Sequence, residues 1–158
     1  MTELVEPAST EAQVQWLVDR AHISDLLVSF ARALDDRDWE TYGLTYTVDG
    51  VFAIGDGVEF QGRSAIQDAT ASRRGLGGYA GTWHLSSNHA IAIDGDTAST
   101  RSYLIGVHML GGGSRDHADG AGWYDCELQR TPAGWRFTRV QLHEVWHAGA
   151  ALRHVSPD

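Results

Sequence analysis

The stretch Ile23–Trp39, ISDLLVSFARALDDRDW, decides how the rest of the chain is read. Ile23, Leu27, Phe30 and Leu34 recur at spacings of three and four, which lines one face of an α-helix with apolar side chains. Asp35 sits beside the end of that stripe, with Ala31 one turn behind it. The charged run Asp35-Asp36-Arg37-Asp38 then breaks the pattern. Working backward, Thr10 and Gln13 read as a capping box, in which each side chain satisfies an orphan backbone N–H of the other. The spacing therefore predicts one long helix from Thr10 to about Asp36. Working forward, Asp38 is placed to cap a second, short helix carrying Trp39 and Tyr42.

Beyond the helices the signals change to those of strands. Asp49-Gly50 reads as a turn, Val51–Ile54 as a strand, Gly55-Asp56-Gly57 as a hairpin and Val58–Gln61 as its return. Ser64 with Gln67 reads as another capping box, opening a helix to about Arg74. Gly75, Gly77, Gly78 and Gly81 make a flexible connection. Two long strands, Thr82–Ile93 and Thr97–Leu110, flank the turn Asp94-Gly95-Asp96. A further pair, Gly122–Thr131 and Trp135–His147, flanks Pro132-Ala133-Gly134. Between the pairs, Gly111–Gly120 reads as a mobile loop and the best lid candidate. Helices first and long strands after define an α+β class with an antiparallel or mixed sheet. A long curved sheet wrapped over a helix leaves a concave hydrophobic pocket. The expected layout is a flexible lead over 1–9, one α+β domain over 10–147 and a tail over 148–158.

Composition narrows the function classes. The 158 residues carry a formal net charge of −9 with no Lys/Arg cluster, so a phosphate backbone is repelled and no nucleic-acid partner is expected. No apolar run approaches the ~20 residues of a membrane span. The N-terminal MTELVEPAST lacks the basic and apolar regions of a signal peptide. Cys126 is the one cysteine, so no internal disulfide forms and a cytoplasmic location is expected. Six Trp, five Tyr and four Phe can build core, line a pocket for a hydrophobic or aromatic small molecule, or both.

The order and spacing of several short motifs resemble the nuclear-transport-factor-two-like superfamily, and within it the SnoaL-like branch that includes scytalone dehydratase and the bile-acid 7α-dehydratase. The residues that carry the resemblance are Phe30–Trp39, Asp49-Gly50-Val51-Phe52, Gly62-Arg63-Ser64-Ala65-Ile66, Trp83-His84, Asn88, Ile93–Ala98, Gly122-Trp123-Tyr124 and Gly134-Trp135-Arg136-Phe137. The resemblance implies a cone-shaped sheet wrapped around the first helix and a homodimer or homotrimer, with the outer sheet face covered by another subunit. It implies chemistry without a cofactor or metal. It places Asp35 at the family's catalytic aspartate, His84 at the catalytic histidine and His108 at the second histidine of scytalone dehydratase. Phe30 stands near a tyrosine of the bile-acid enzyme, Ile54 at a substrate-side tyrosine of scytalone dehydratase, and Tyr124 near its pocket asparagine. The expected activity is that of a hydro-lyase on a cyclic, carbonyl-activated molecule, with a cyclase, an isomerase or a non-catalytic binding module as alternatives.

That chemistry needs a group to take a carbon-bound proton and a group to return one, which suits a histidine oriented by a carboxylate. His84 is expected to move the proton, Asp35 to orient it, and His108, Tyr103 or Tyr124 to hydrogen-bond a developing oxyanion. Strand alternation puts His108 on the face of Leu104 and Ala98, and Tyr103 on the other. Phe30, Trp39, Phe52, Ile54, Leu104, Tyr124 and Trp146 are the expected substrate-binding lining. Taken alone, Asp35 reads as a solvated helix end and His84 as a strand histidine bonded to a carbonyl. One motif competes: His143-Glu144-Val145-Trp146-His147 spells the HExxH zinc signature. That signature works on a helix; on a strand, residues four apart are separated by ~13 Å and cannot share one metal.

Overall fold

The computed structural model describes residues 9–113 and 115–152. Helix α1 spans Thr10–Asp36. Its cap is Ser9, one residue earlier than expected, whose side chain accepts from the Ala12 backbone N–H at 3.2 Å. The predicted stripe of Ile23, Leu27, Phe30 and Leu34 is buried. The helix ends on Arg37, which takes the left-handed conformation at φ 57° and returns its N–H to the Ala33 and Leu34 carbonyls. Asp38 caps α2, Trp39–Leu44, by accepting from the Thr41 N–H at 3.0 Å.

Strands β1 (Tyr46–Ile54) and β2 (Val58–Gln61), helix α3 (Arg63–Ala71), and strands β3 (Gly81–Asp94), β4 (Thr97–Met109), β5 (Ala118–Thr131) and β6 (Gly134–Gly149) follow. They form one curved, unclosed mixed sheet in the order β2-β1-β6-β5-β4-β3. The β1–β6 pairing is parallel and the other four are antiparallel. The α+β class with a long N-terminal helix under a curved sheet is thus what the sequence led us to expect.

Local expectations differ in four places. Asp49-Gly50 is no turn: β1 runs through it, with a register irregularity between Tyr46 and Val51. A Cβ on Gly50 would stand 3.1 Å from Tyr46 and 3.2 Å from the Phe137 carbonyl, so glycine there allows a tight crossing of strands. Helix α3 is entered from Gly62 at φ 93° without a side-chain cap, so Ser64 does not open it, and it ends at Ala71, short of Arg74. The segment 111–120 is partly strand: Met109 bridges His117, and Ala118, Asp119 and Gly120 belong to β5. Its Gly120 pairs with Gly106 in the sheet, which is a demand for space and not for mobility. At the C-terminus, Ala148 and Gly149 continue β6 where a tail was expected. Residues 1–8 of the expected lead and 153–158 of the tail lie outside the described residues.

The core joins α1 to the inner sheet face. Phe30 is its centre, with the rings of Tyr42, Tyr124 and Phe137 at 5.2, 5.5 and 5.6 Å between centroids. An ion pair locks the N-terminal half of α1. Buried Asp19 accepts from Arg130 at 2.6 and 2.8 Å and from the Trp135 indole N–H at 3.1 Å. The Arg130 guanidinium bonds hold its carboxyl down at about 2 against the cost of burial. Among the described residues no helix is long and apolar enough to cross a membrane.

Candidate active site

Two elements bring Asp35 and His84 together: the last turn of α1 and the start of β3, which packs across it. His84 Nδ1 lies 2.7 Å from Asp35 Oδ1. The His84 backbone N–H donates to Oδ2 at 2.8 Å, and the Thr82 hydroxyl donates to Oδ1 at 3.0 Å. Burial raises the Asp35 carboxyl, but the bonds from His84 and Thr82 outweigh it and hold the group below its ordinary value. An ionised carboxylate on Nδ1 fixes the proton there and leaves Nε2 as the acceptor. The His84 side chain is only 7% exposed.

His108 stands beside this pair, its ring 5.2 Å from that of His84 in an edge-on arrangement. A Cβ on Gly106 would lie 2.9 Å from His108 Cε1 and 3.2 Å from His84 Cδ2, so glycine makes the room for both rings. His108 Nδ1 is 2.6 Å from the Ala118 carbonyl oxygen. A carbonyl only accepts, so Nδ1 carries the proton and Nε2 the lone pair. Burial, reinforced by the nearby His84, lowers the His108 pKa further than the Ala118 carbonyl, Asp119 and Asp35 raise it. The ring is therefore neutral near pH 7 and offers an acceptor, where the sequence reading asked it for a donor.

Both histidines line a cavity of about 120 Å³ between α1, the inner sheet face and the connection after α3. Of the expected lining, Phe30, Phe52, Ile54, Leu104 and Tyr124 are in its wall. Burial pushes the Tyr124 phenol well up, so it stays a donor at neutral pH. Trp39 and Trp146 are not in that wall. Trp39 packs against the core beside Arg37, and Trp146 is half exposed on the outer sheet face. The reason for Trp146 is a bulge: Gly120 pairs with His147, Ala121 with Trp146, but Gly122 with Glu144, so Val145 is the extra residue and reverses the alternation. Tyr103 is exposed on the outer face, as alternation predicts.

Several residues in or beside the cavity wall have only a weak sequence signal. Thr82 shares the face of His84 two residues away, which alternation could have shown. Tyr79 lies in the glycine-rich connection, where there is no periodicity; its ring is 4.8 Å from His108, and Arg37 donates to its carbonyl at 2.6 Å and to that of Leu76 at 3.1 Å. Glu144 and Leu152 also face the cavity. The HExxH segment lies on β6, as its strand pattern requires. His143 stacks on Trp123 at 4.9 Å, on the outer face, so its imidazole does not converge with that of His147. Cys126 is buried and its thiol is pushed up to about 12 by that burial, which leaves it unreactive.

This architecture is that of a SnoaL-like domain, and the chain belongs to that family, which it matches over residues 15–141. An uncharacterized protein of Mycobacterium tuberculosis is 32% identical over 124 residues, covering 77% of this chain and 82% of its own. Among solved structures, a Novosphingobium aromaticivorans protein provisionally named a scytalone dehydratase superposes with a TM-score of 0.80 at 21% identity, over 91% of this chain and 95% of that one. A hexachlorocyclohexane dehydrochlorinase from Novosphingobium barchaimii gives 0.76 at 17% identity, over 92% and 99%. At those identities the likeness is one of fold.

Proposed function

We propose that the protein is a cofactor-independent lyase, a dehydratase acting on a cyclic, carbonyl-activated small molecule through the His84–Asp35 pair. The observation that carries this reading is the 2.7 Å Asp35–His84 bond set in the wall of an apolar cavity. The names of the two structural neighbours, a dehydratase and a dehydrochlorinase, both denote loss of a small molecule from a carbon skeleton, and they support the class. In the proposed reaction His84 Nε2 takes a proton from the carbon next to the carbonyl. The released electron pair moves onto the carbonyl oxygen, where the Tyr124 hydroxyl donates a hydrogen bond. The pair then returns to form the carbon–carbon double bond as the β-hydroxyl leaves. The imidazolium gives that hydroxyl its proton, so the products are an enone and water, with no net oxidation. Asp35 stabilises the imidazolium between the two transfers. The Nε2 lone pair of His108 accepts from the leaving hydroxyl in the ground state and orients it.

The test is turnover of a panel of cyclic β-hydroxy ketones, read by enone absorbance. His84→Ala should abolish it, and Asp35→Asn should lower it about a hundredfold or more with the fold intact. Full activity in a folded His84→Ala variant would remove His84 from the mechanism. Ring closure or double-bond migration without loss of water would assign the same cavity to a cyclase or an isomerase. Binding without any turnover would make it a ligand-binding module.

A further inference from the structure

Glu144 is the one carboxylate in the cavity wall among the described residues, and the fold goes to some length to put it there. Leu142 and Glu144 both face inward, and the Val145 bulge follows at once. The bulge brings β6 backbone against β5 so closely that a Cβ on Gly122 would stand 1.8 Å from the His143 carbonyl oxygen. Without the irregularity, Trp146 would follow Leu142 and Glu144 on the inner face. Past the bulge His147 takes the next inward register position, opposite Gly120, but it stands outside the cavity wall, so Glu144 is the last β6 side chain in that wall.

The sheet register fixes where that carboxylate lies relative to His84. His84 pairs with Gly106, Gly106 with Gly120, and Gly122, one inward position along, with Glu144. His84 and Glu144 are therefore three strands apart, roughly 14 Å between backbones at the usual spacing before curvature shortens it. The inward positions along the path, Gly106, Gly120 and Gly122, carry no side chain. Leu152 covers Gly120 from above, its Cδ1 2.8 Å from where a Cβ would be. After both side chains have reached inward, the remaining span matches a flat ligand one or two rings long.

We infer that Glu144 anchors the end of the ligand remote from His84, and that this end carries a hydrogen-bond donor, a hydroxyl or an ammonium group. The inference rests on the cavity being the ligand site, as proposed above, but not on proton transfer by His84. A carboxylate accepts on both oxygens, so the contact of Glu144 Oε1 with His147 Nδ1 at 3.4 Å is compatible with a ligand donor. Its side chain is 26% exposed and the residue as a whole is exposed, so it sits at the mouth in contact with solvent, where a charge-assisted bond forms without the full cost of burying a charge.

The experiment is a binding titration of the intact protein with three probes substituted at the same ring carbon: naphthol, naphthylmethylammonium and methylnaphthalene. The wild type should bind at least one donor-bearing probe about tenfold more tightly than methylnaphthalene. Which of the two gains tells a hydroxyl from an ammonium ligand. Glu144→Leu should erase the preference, Glu144→Gln should retain part of it for naphthol, and His84→Ala should leave it intact. No preference in the wild type, or a preference that survives Glu144→Leu, overturns the assignment. A preference lost in His84→Ala but kept in Glu144→Leu overturns it too, by placing the donor at the other end. Loss of turnover in His84→Ala with the preference unchanged separates this anchor from the catalytic reading.

Discussion

His108 shows how one backbone contact sets the chemistry of a side chain. The Ala118 carbonyl at 2.6 Å ties the proton to Nδ1, and burial keeps the ring neutral. Because the folded-state pKa lies below the ordinary histidine value, protonating His108 works against the fold, and stability falls as pH drops through the ordinary range near 6.5. We expect nitrogen–proton correlation spectra of ring-labelled protein to show the Nδ1–H tautomer at pH 7, with titration below that of a free histidine. A doubly protonated His108 ring at pH 7 would contradict the assignment and restore it as an oxyanion donor. The end of an apolar stripe and the alternation along β4 fix where Asp35 and His108 stand, but only the family resemblance singled them out, since Asp35 taken alone reads as a solvated helix end. The direction of their hydrogen bonds was not legible in the sequence, because it depends on which carbonyl happens to face each ring. Phe30 and Ile54 remain apolar wall, and the polar side chains in that wall are His84, His108, Tyr124 and Glu144 on β3, β4, β5 and β6, with Tyr42, Thr70 and Tyr79 from the helical side among the described residues.

At the scale of elements, the strands were legible and their irregularities were not. The turns Gly55-Asp56-Gly57 and Asp94-Gly95-Asp96 fall where their chemistry put them, because a hairpin turn is set by adjacent residues. A bulge is set by the partner strand, and Asp49-Gly50 and Gly122 therefore carried signals that local reading turned into a bend or a plain strand start. The same blindness misplaced Trp146: counting by twos from Leu142 puts it in the pocket, and one extra residue takes it out. Gly122 is the clearest test. An alanine there meets a backbone oxygen at 1.8 Å, which no rotamer change relieves. Gly122→Ala should cost about 1–3 kcal/mol in denaturant unfolding, or force β6 to give up the bulge. Unchanged stability with an unchanged β5–β6 pairing would show that the strands separate more easily than their packing suggests.

For the molecule as a whole, the bulge divides labour between the two sheet faces. Inside, it ends the cavity wall on Glu144. Outside, it completes an apolar row across four strands, in which Leu85 pairs with Ile105, Ile105 with Ala121 and Ala121 with Trp146. Trp83, Leu85, Ile105 and Trp146 are 54, 41, 42 and 51% exposed in the single chain, and Tyr103 adds to the same face. Contiguous apolar surface of this kind marks an interaction site, and the Arg101–Asp125 pair at 2.7 Å provides a polar flank. We propose that a second copy of the chain covers this face, in a homodimer or homotrimer. A two-fold pairing of sheet faces needs the same patch on both partners, which the row from Leu85 to Trp146 supplies for the dimer. The wild type should therefore sediment above monomer mass at micromolar concentration, and the double substitution Ile105→Asp with Trp146→Asp should shift it to monomer. The Asp35–His84 pair lies on the opposite face of the sheet, so ligand binding should survive in that monomer. A wild-type protein that stays monomeric at those concentrations would leave the row without the partner assigned to it. If the double variant dissociates and loses ligand binding together, the two faces are coupled through β6, and the Val145 bulge between Glu144 and Trp146 is the element that couples them.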